Sequence, residues 1–101
     1  MSIFDKIDDT TLTSQYFEDC GWKKTYDYTT KSFIEGSYCR MVKTQRLTPQ
    51  MKIITCDINI LYFRGWLNIF HEKLWCETIQ DLEDGIILLL NKNGHKLNGC
   101  I

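Results

Sequence analysis

The hydrophobic pattern changes period twice along the chain. Between residues 12 and 22 the apolar positions follow helical spacing. Thr13 reads as an N-cap, with Leu12 before it and Phe17 placed to close a hydrophobic staple. Gly21 fits the C′ position, where a left-handed residue ends a helix without a Cβ penalty. The spacing predicts a short helix over 13–20. Ile3, Phe4 and Ile7 share one face of a possible earlier helical turn at 2–8.

From Trp22 onward, aromatic and β-branched residues take over, as in strands. Segments 23–29 and 33–43 read as extended, with a bulge or break at Gly36. The polar stretch 44–50, which holds Pro49, reads as a loop. Residues 51–60 read as a strong strand, because Ile54, Cys56 and Ile58 alternate with Thr55 and Asp57. Leu61–Gly65 is a wide turn or a continuation of that strand. Residues 66–71 form the next strand, with Leu67 and Ile69 on one side and Trp66, Asn68 and Phe70 on the other. A turn at 71–73 leads to a short extended piece at 74–77.

The last period is helical again. Thr78 with Asp81 forms a capping-box variant. Asp81, Glu83 and Asp84 lie where the helix dipole favours anions, and Lys92 lies in the last turn. Asn93-Gly94 stops the helix. Ile79, Leu82, Ile86, Leu89 and Leu90 fall within about 100° of arc, a core-facing stripe. Ile87 sits at its edge and Leu88 points away. Gly85 is a mild flaw in this helix, costing about 1 kcal/mol relative to Ala. The order helix, strands, helix, with short connections, predicts an α+β domain. Its expected core is an antiparallel sheet of about four strands packed with a short N-terminal and a longer C-terminal helix.

A length of 101 residues holds one domain, 1–101, and excludes a TIM barrel or a full dinucleotide-binding fold. The composition, 44 % hydrophobic and 25 % charged, is that of an ordinary globular chain. A net charge of −1 hides segments of −4 (1–20), +5 (21–70) and −2 (71–101). Either the acidic ends neutralise the basic middle, or the middle offers a basic face to an anionic partner. Five cysteines without CxxC spacing, after an opening that lacks signal-peptide character, predict free thiols in a reducing cytoplasm. The longest apolar run, Ile86–Leu90, is too short for a membrane span.

Three stretches carry a likeness. Leu12-Thr13 leads to Cys20-Gly21-Trp22-Lys23. Met51-Lys-Ile-Ile leads to Asp57-Ile58 and a strand with Trp66. Leu74-Trp-Cys-Glu-Thr-Ile-Gln-Asp-Leu82 opens the last helix, which Gly94 closes. In this layout, over residues 12–94, the chain resembles short uncharacterised proteins of gut Bacteroides genomes, phages and mobile elements. The resemblance implies an accessory protein, one that counters host defence. It carries over no active residues.

Catalytic signals are thin. His71-Glu72 lacks the second histidine of HExxH, since position 75 is Trp. Cys76 or Cys39 with His71 would make a nucleophile pair, but strand cysteines usually pack as small core residues. His95, between two Asn-Gly turns, reads as a solvated tail residue. No catalytic residue, metal site or cofactor is therefore expected. The expected activity is non-enzymatic binding of a host protein, with a defence component as the target. The interface candidates are Tyr62, Phe63, Arg64 and Trp66, since Tyr, Trp and Arg concentrate at hot spots. The alternative is a nucleic-acid or nucleotide binder using a basic, aromatic sheet face, with Lys23, Lys24, Tyr26, Tyr28 and Lys31 stacking bases and neutralising phosphates. Ile87 and Leu88 are candidates for a homodimer contact.

Overall fold

The computed structural model describes residues 12–98. The helical turn expected at 2–8 lies outside them. The elements run α1 (Ser14–Asp19), β1 (Lys23–Asp27), β2 (Ser32–Leu47), β3 (Ile53–Phe63), β4 (Trp66–Ile69), β5 (Glu72–Trp75), α2 (Ile79–Lys92) and β6 (His95–Leu97). The α+β class, the antiparallel sheet and both helices stand as expected.

Among the described residues the sheet has six strands rather than about four, in the order β1-β2-β3-β4-β5, with β6 added to β2. Two differences from the sequence reading shape this sheet. β2 runs on to Leu47, through residues expected in the loop. Thr44, Gln45 and Arg46 then pair with Leu97, Lys96 and His95 of β6. A cross-strand partner that far away in sequence leaves no local signal. β3 continues through Leu61 to Phe63 and turns at Arg64-Gly65. Both turn residues have positive φ, 47° and 94°, as a two-residue hairpin of right-handed twist demands.

The next hairpin turns at Phe70-His71, again with positive φ (54° and 67°), and not at 71–73 as expected. Phe70 therefore leaves the alternation of β4. It packs against the core and stacks on His95, with ring centroids 5.0 Å apart. His95 is the clearest correction. It is 6 % exposed, and its Nδ1 lies 3.0 Å from Thr44 Oγ1. It is a core residue, placed there by β6 pairing, and not a solvated tail. Burial, and then the Arg46 charge, hold the imidazole below its usual pKa.

Both helices lie on one side of the sheet. Thr13 caps α1 by accepting from Tyr16 N–H, and Gly21 follows at φ 83°. Phe17 is the hub of this end. Its ring stacks on Tyr38 at 4.3 Å and meets Trp22 and Tyr62 at 5.2 and 5.0 Å. Aromatic contacts of this kind add to the burial of large apolar area. On α2, Leu82, Ile86, Leu89 and Leu90 are buried, while Ile87 and Leu88 face outward at 43 % and 57 % exposure.

Gly85 is also buried, which revises its reading as a flaw. A Cβ there would stand 2.8 Å from Leu74 Cδ2 and 3.0 Å from Leu67 Cδ2. Its bare backbone lets α2 sit close on β4 and β5. At the far end of α2, Glu72 accepts from Lys92 Nζ and, at 2.9 Å, from Asn93 Nδ2. These bonds hold its carboxyl below the usual glutamate range. No helix of the described residues is long and apolar enough to cross a membrane.

Two outcomes follow from this packing. Leu82→Ala, at a residue with no exposure, is expected to destabilise by about 2–5 kcal/mol, against under about 0.5 kcal/mol for Leu88→Ala. Urea midpoints of the two variants check the contrast. The second concerns pH. Glu72 and His95 both have depressed folded pKa values. From the carboxylate range up to the imidazole range the folded state thus binds fewer protons than the unfolded chain, and stability rises with pH. The His95 contribution is complete above its unfolded value and is lost as pH falls through its lower folded value. The Glu72 contribution is lost in the same sense, at the bottom of the carboxylate range. Unfolding midpoints measured across this range are expected to decrease as the pH is lowered. His95→Phe is expected to remove the upper part of that fall while keeping a ring against Phe70.

Candidate functional site

The uncovered face of the sheet follows from strand alternation. Ile58, Ile60 and Tyr62 of β3 point to the helices, so Asn59, Leu61 and Phe63 point away. Register extends this set across the sheet. Ser37, Cys39 and Met41 of β2 lie opposite Phe63, Leu61 and Asn59. Trp66 and Asn68 of β4 lie opposite Phe63 and Leu61, and Trp75 and Lys73 of β5 lie opposite Trp66 and Asn68. The described residues place no helix on this side. The molecule is about 21 Å deep along its shortest axis, the depth of one sheet and one helix layer.

At the centre of this face lies a cleft of about 570 Å3. Ile34, Leu61, Phe63, Trp66 and Phe70 form its apolar lining. Thr25, Ser37, Asn59, Asn68, His71 and Lys73 supply polar groups. Two irregularities shape it. Gly36 breaks β2 at φ 73°, and the β1–β2 register shifts between Lys24 and Tyr26. Bulges of this kind bend and twist a strand. Gly36 O accepts from Arg64 N–H, which ties the bend to the β3–β4 turn.

The aromatic side of the cleft is held in place. Trp66 and Trp75 meet edge to face, with centroids 5.1 Å apart. Trp75 Nε1 donates to Glu77 Oε1 at 2.9 Å. Its ring covers Gly65, where a Cβ would come within 2.6 Å. The Arg64 guanidinium stands 5.1 Å over the Phe63 ring. Phe63, Trp66 and Trp75 nonetheless remain 37 %, 44 % and 50 % exposed. Large, rigid, half-exposed aromatics on a fixed platform are suited to burying a partner's side chain.

Three of the four interface candidates, Phe63, Arg64 and Trp66, meet on this surface. Tyr62 does not join them. It points to the core, packs on Phe17 and donates its hydroxyl to Cys76 O at 3.2 Å. Period two makes this unavoidable: if Phe63 faces one way, Tyr62 faces the other. Ile34, Leu61 and Trp75 belong to the site but were missed. Trp75 was findable, because it is the hairpin partner of Trp66 once the turn is placed at 70–71.

The nucleic-acid candidates do not share one surface. Lys23 lies on the uncovered face, opposite Cys39. Lys24, one position on, reaches Glu35 at 4.0 Å. Tyr26 and Tyr28 cluster with Phe33 at the far end of the β1–β2 hairpin, with centroids 4.9 and 5.1 Å from Tyr26. Lys31 sits in the connecting turn at φ 56°.

The cysteine–histidine pairs are not assembled. Cys76 is buried on the helix side at 1 % exposure, and burial pushes its thiol up to about 11. A nucleophilic thiol needs the opposite shift. His71 stands on the uncovered face. Cys39 lines a separate hollow with Cys20, Lys23 and Arg40. Among the described residues, no group of three or more His, Cys, Asp or Glu gathers as a metal site would require.

No family model matches this chain, and no curated protein or solved structure matches it significantly.

Proposed function

We propose that this chain is a non-catalytic binding protein that engages a protein partner through the uncovered face of its sheet. The observation that supports this most directly is the half-exposed group Phe63, Arg64, Trp66 and Trp75 beside the cleft. Aromatic and arginine side chains carry most of the energy at protein interfaces, and pockets at the centre of the patch contribute most. The cleft is lined by no carboxylate, and His71 and Lys73 are its ionisable side chains. Such a lining offers a partner's side chains an apolar floor and hydrogen-bonding groups at its rim. The resemblance to phage and mobile-element proteins directs the search to a host protein, a defence component first, in the cytoplasm. That part of the reading rests on the resemblance alone.

The nucleic-acid reading is weaker, because its lysines and tyrosines are divided between the two faces of the sheet. A stacking groove needs its cations and rings along one track.

The test is a comparison of wild type with the double variant Phe63→Ala/Trp66→Ala in crosslinking and copurification from the source cells. Both side chains are partly exposed, so the variant is expected to keep the native circular dichroism spectrum. It is expected to bind its partner at least about 30-fold more weakly, the loss produced by a hot-spot pair of about 2 kcal/mol or more. Unchanged capture by the folded variant would remove the uncovered face as the site. Salt-sensitive binding of a labelled oligonucleotide would restore the alternative.

A further inference from the structure

The free edge of β3 is a second feature, independent of the cleft. β4 pairs with β3 only at Leu61, Tyr62 and Phe63. Among the described residues nothing pairs with the same edge from Ile53 to Asn59. This free stretch is about 20 Å long at the usual strand rise.

Its hydrogen-bonding groups can be assigned. Phe63 and Trp66 flank a two-residue turn and so exchange both backbone hydrogen bonds. Leu61 points its N–H and C=O the same way. The β2–β3 register continues unbroken from Phe63 to Ile53. Ile53, Thr55, Asp57 and Asn59 therefore aim their N–H and C=O groups outward from the open edge.

Natural edges are usually guarded by proline, inward-pointing charge, a bulge or a covering element. This one has no proline and no bulge, and Asp57 is its single charge. Ile53 and Ile54 are 69 % and 43 % exposed beside it.

We propose that two copies of this chain pair antiparallel along this edge, about a twofold axis at Cys56. The register follows from both ends of the free stretch. Cys56 is its midpoint, so Ile53 of one copy meets Asn59 of the other, and Thr55 meets Asp57. Shifting one way drives the neighbour's Ile53 into the positions held by β4. Shifting the other way leaves outward groups unpaired. In the central register all the outward groups pair, making about eight new backbone hydrogen bonds. The side chains are self-complementary as well. On the helix side Ile54 lies opposite the neighbour's Ile58, and Cys56 lies opposite Cys56. On the other side Asp57 meets Thr55 and not a second Asp57. The axis is perpendicular to the sheet, so both clefts open on the same side of the pair. This dimer does not rest on the partner-binding reading and is measured without any partner.

Light scattering on the purified protein is expected to give twice the chain mass of 12.0 kDa. A short bis-maleimide reagent is expected to join Cys56 to Cys56, as mapped by mass spectrometry, and Cys56→Ser is expected to abolish the product. Thr55→Pro removes an outward N–H and no bond to β2, so the variant is expected to fold as a monomer or to dissociate at least about tenfold more readily. A wild-type monomer at the highest soluble concentration would overturn the proposal. So would a dimer that Thr55→Pro, folded, leaves intact. If Thr55→Pro does not fold, the wild-type crosslink decides: a product at Cys56 supports the pairing, and its absence in a dimer refutes it.

Discussion

Eleven consecutive residue pairs join Ser37–Leu47 to Ile53–Phe63, and the rest of the molecule is attached to this ribbon. β1 pairs along β2 between Ser32 and Cys39, β6 joins the same edge at Thr44–Arg46, and β4 and β5 extend the ribbon's other edge near Phe63. A two-stranded ribbon is marginal by itself in water. It becomes stable here because one face is covered. Phe17 and Trp22 cover one end, and the apolar stripe of α2 covers the other. The same register that sends Ile58, Ile60 and Tyr62 inward sends Asn59, Leu61 and Phe63 outward, so the core and the candidate site are two consequences of one pairing.

The site's rigidity has a local origin. Positive φ at Arg64 and Gly65 turns β3 tightly into β4 and sets Phe63 beside Trp66. Trp75 can lie over the turn only because Gly65 has no side chain. On the opposite face Gly85 does the same for α2, which sits close to Leu67 and Leu74. Two glycines, one on each side of the β4–β5 hairpin, let this small hairpin be packed on both faces. Such close packing orders aromatic side chains before any partner arrives, which lowers the entropic cost of binding.

Much of the fold was legible in the sequence because its signals are local. Thr13 and Thr78 announce their helices, and the stripe from Ile79 to Leu90 names the buried side of α2. The errors at the chain's tail share a cause. β6, the last turns of β2 and the burial of His95 all depend on contacts between residues some fifty positions apart. The tail's polar, glycine-flanked composition suggested solvent; strand addition to Thr44–Arg46 decided otherwise. Within the site, Phe63, Arg64 and Trp66 stood out as a cluster of interface residue types. Tyr62 was grouped with them because nearness in sequence was read as nearness on the surface.

The sequence by itself determined the class of the domain, the identity of both helices, the alternation of β3 and the inward set on α2. These are properties of period and capping, and they hold whatever the strands pair with. Only the tertiary structure decided the strand order, the side of the sheet left uncovered and the meeting of Trp66 with Trp75. It also decided which stretch of β3 has no neighbouring strand among the described residues. The reason is physical: periodicity marks a strand's two faces but does not say which strand lies beside it, nor which face a helix will reach first.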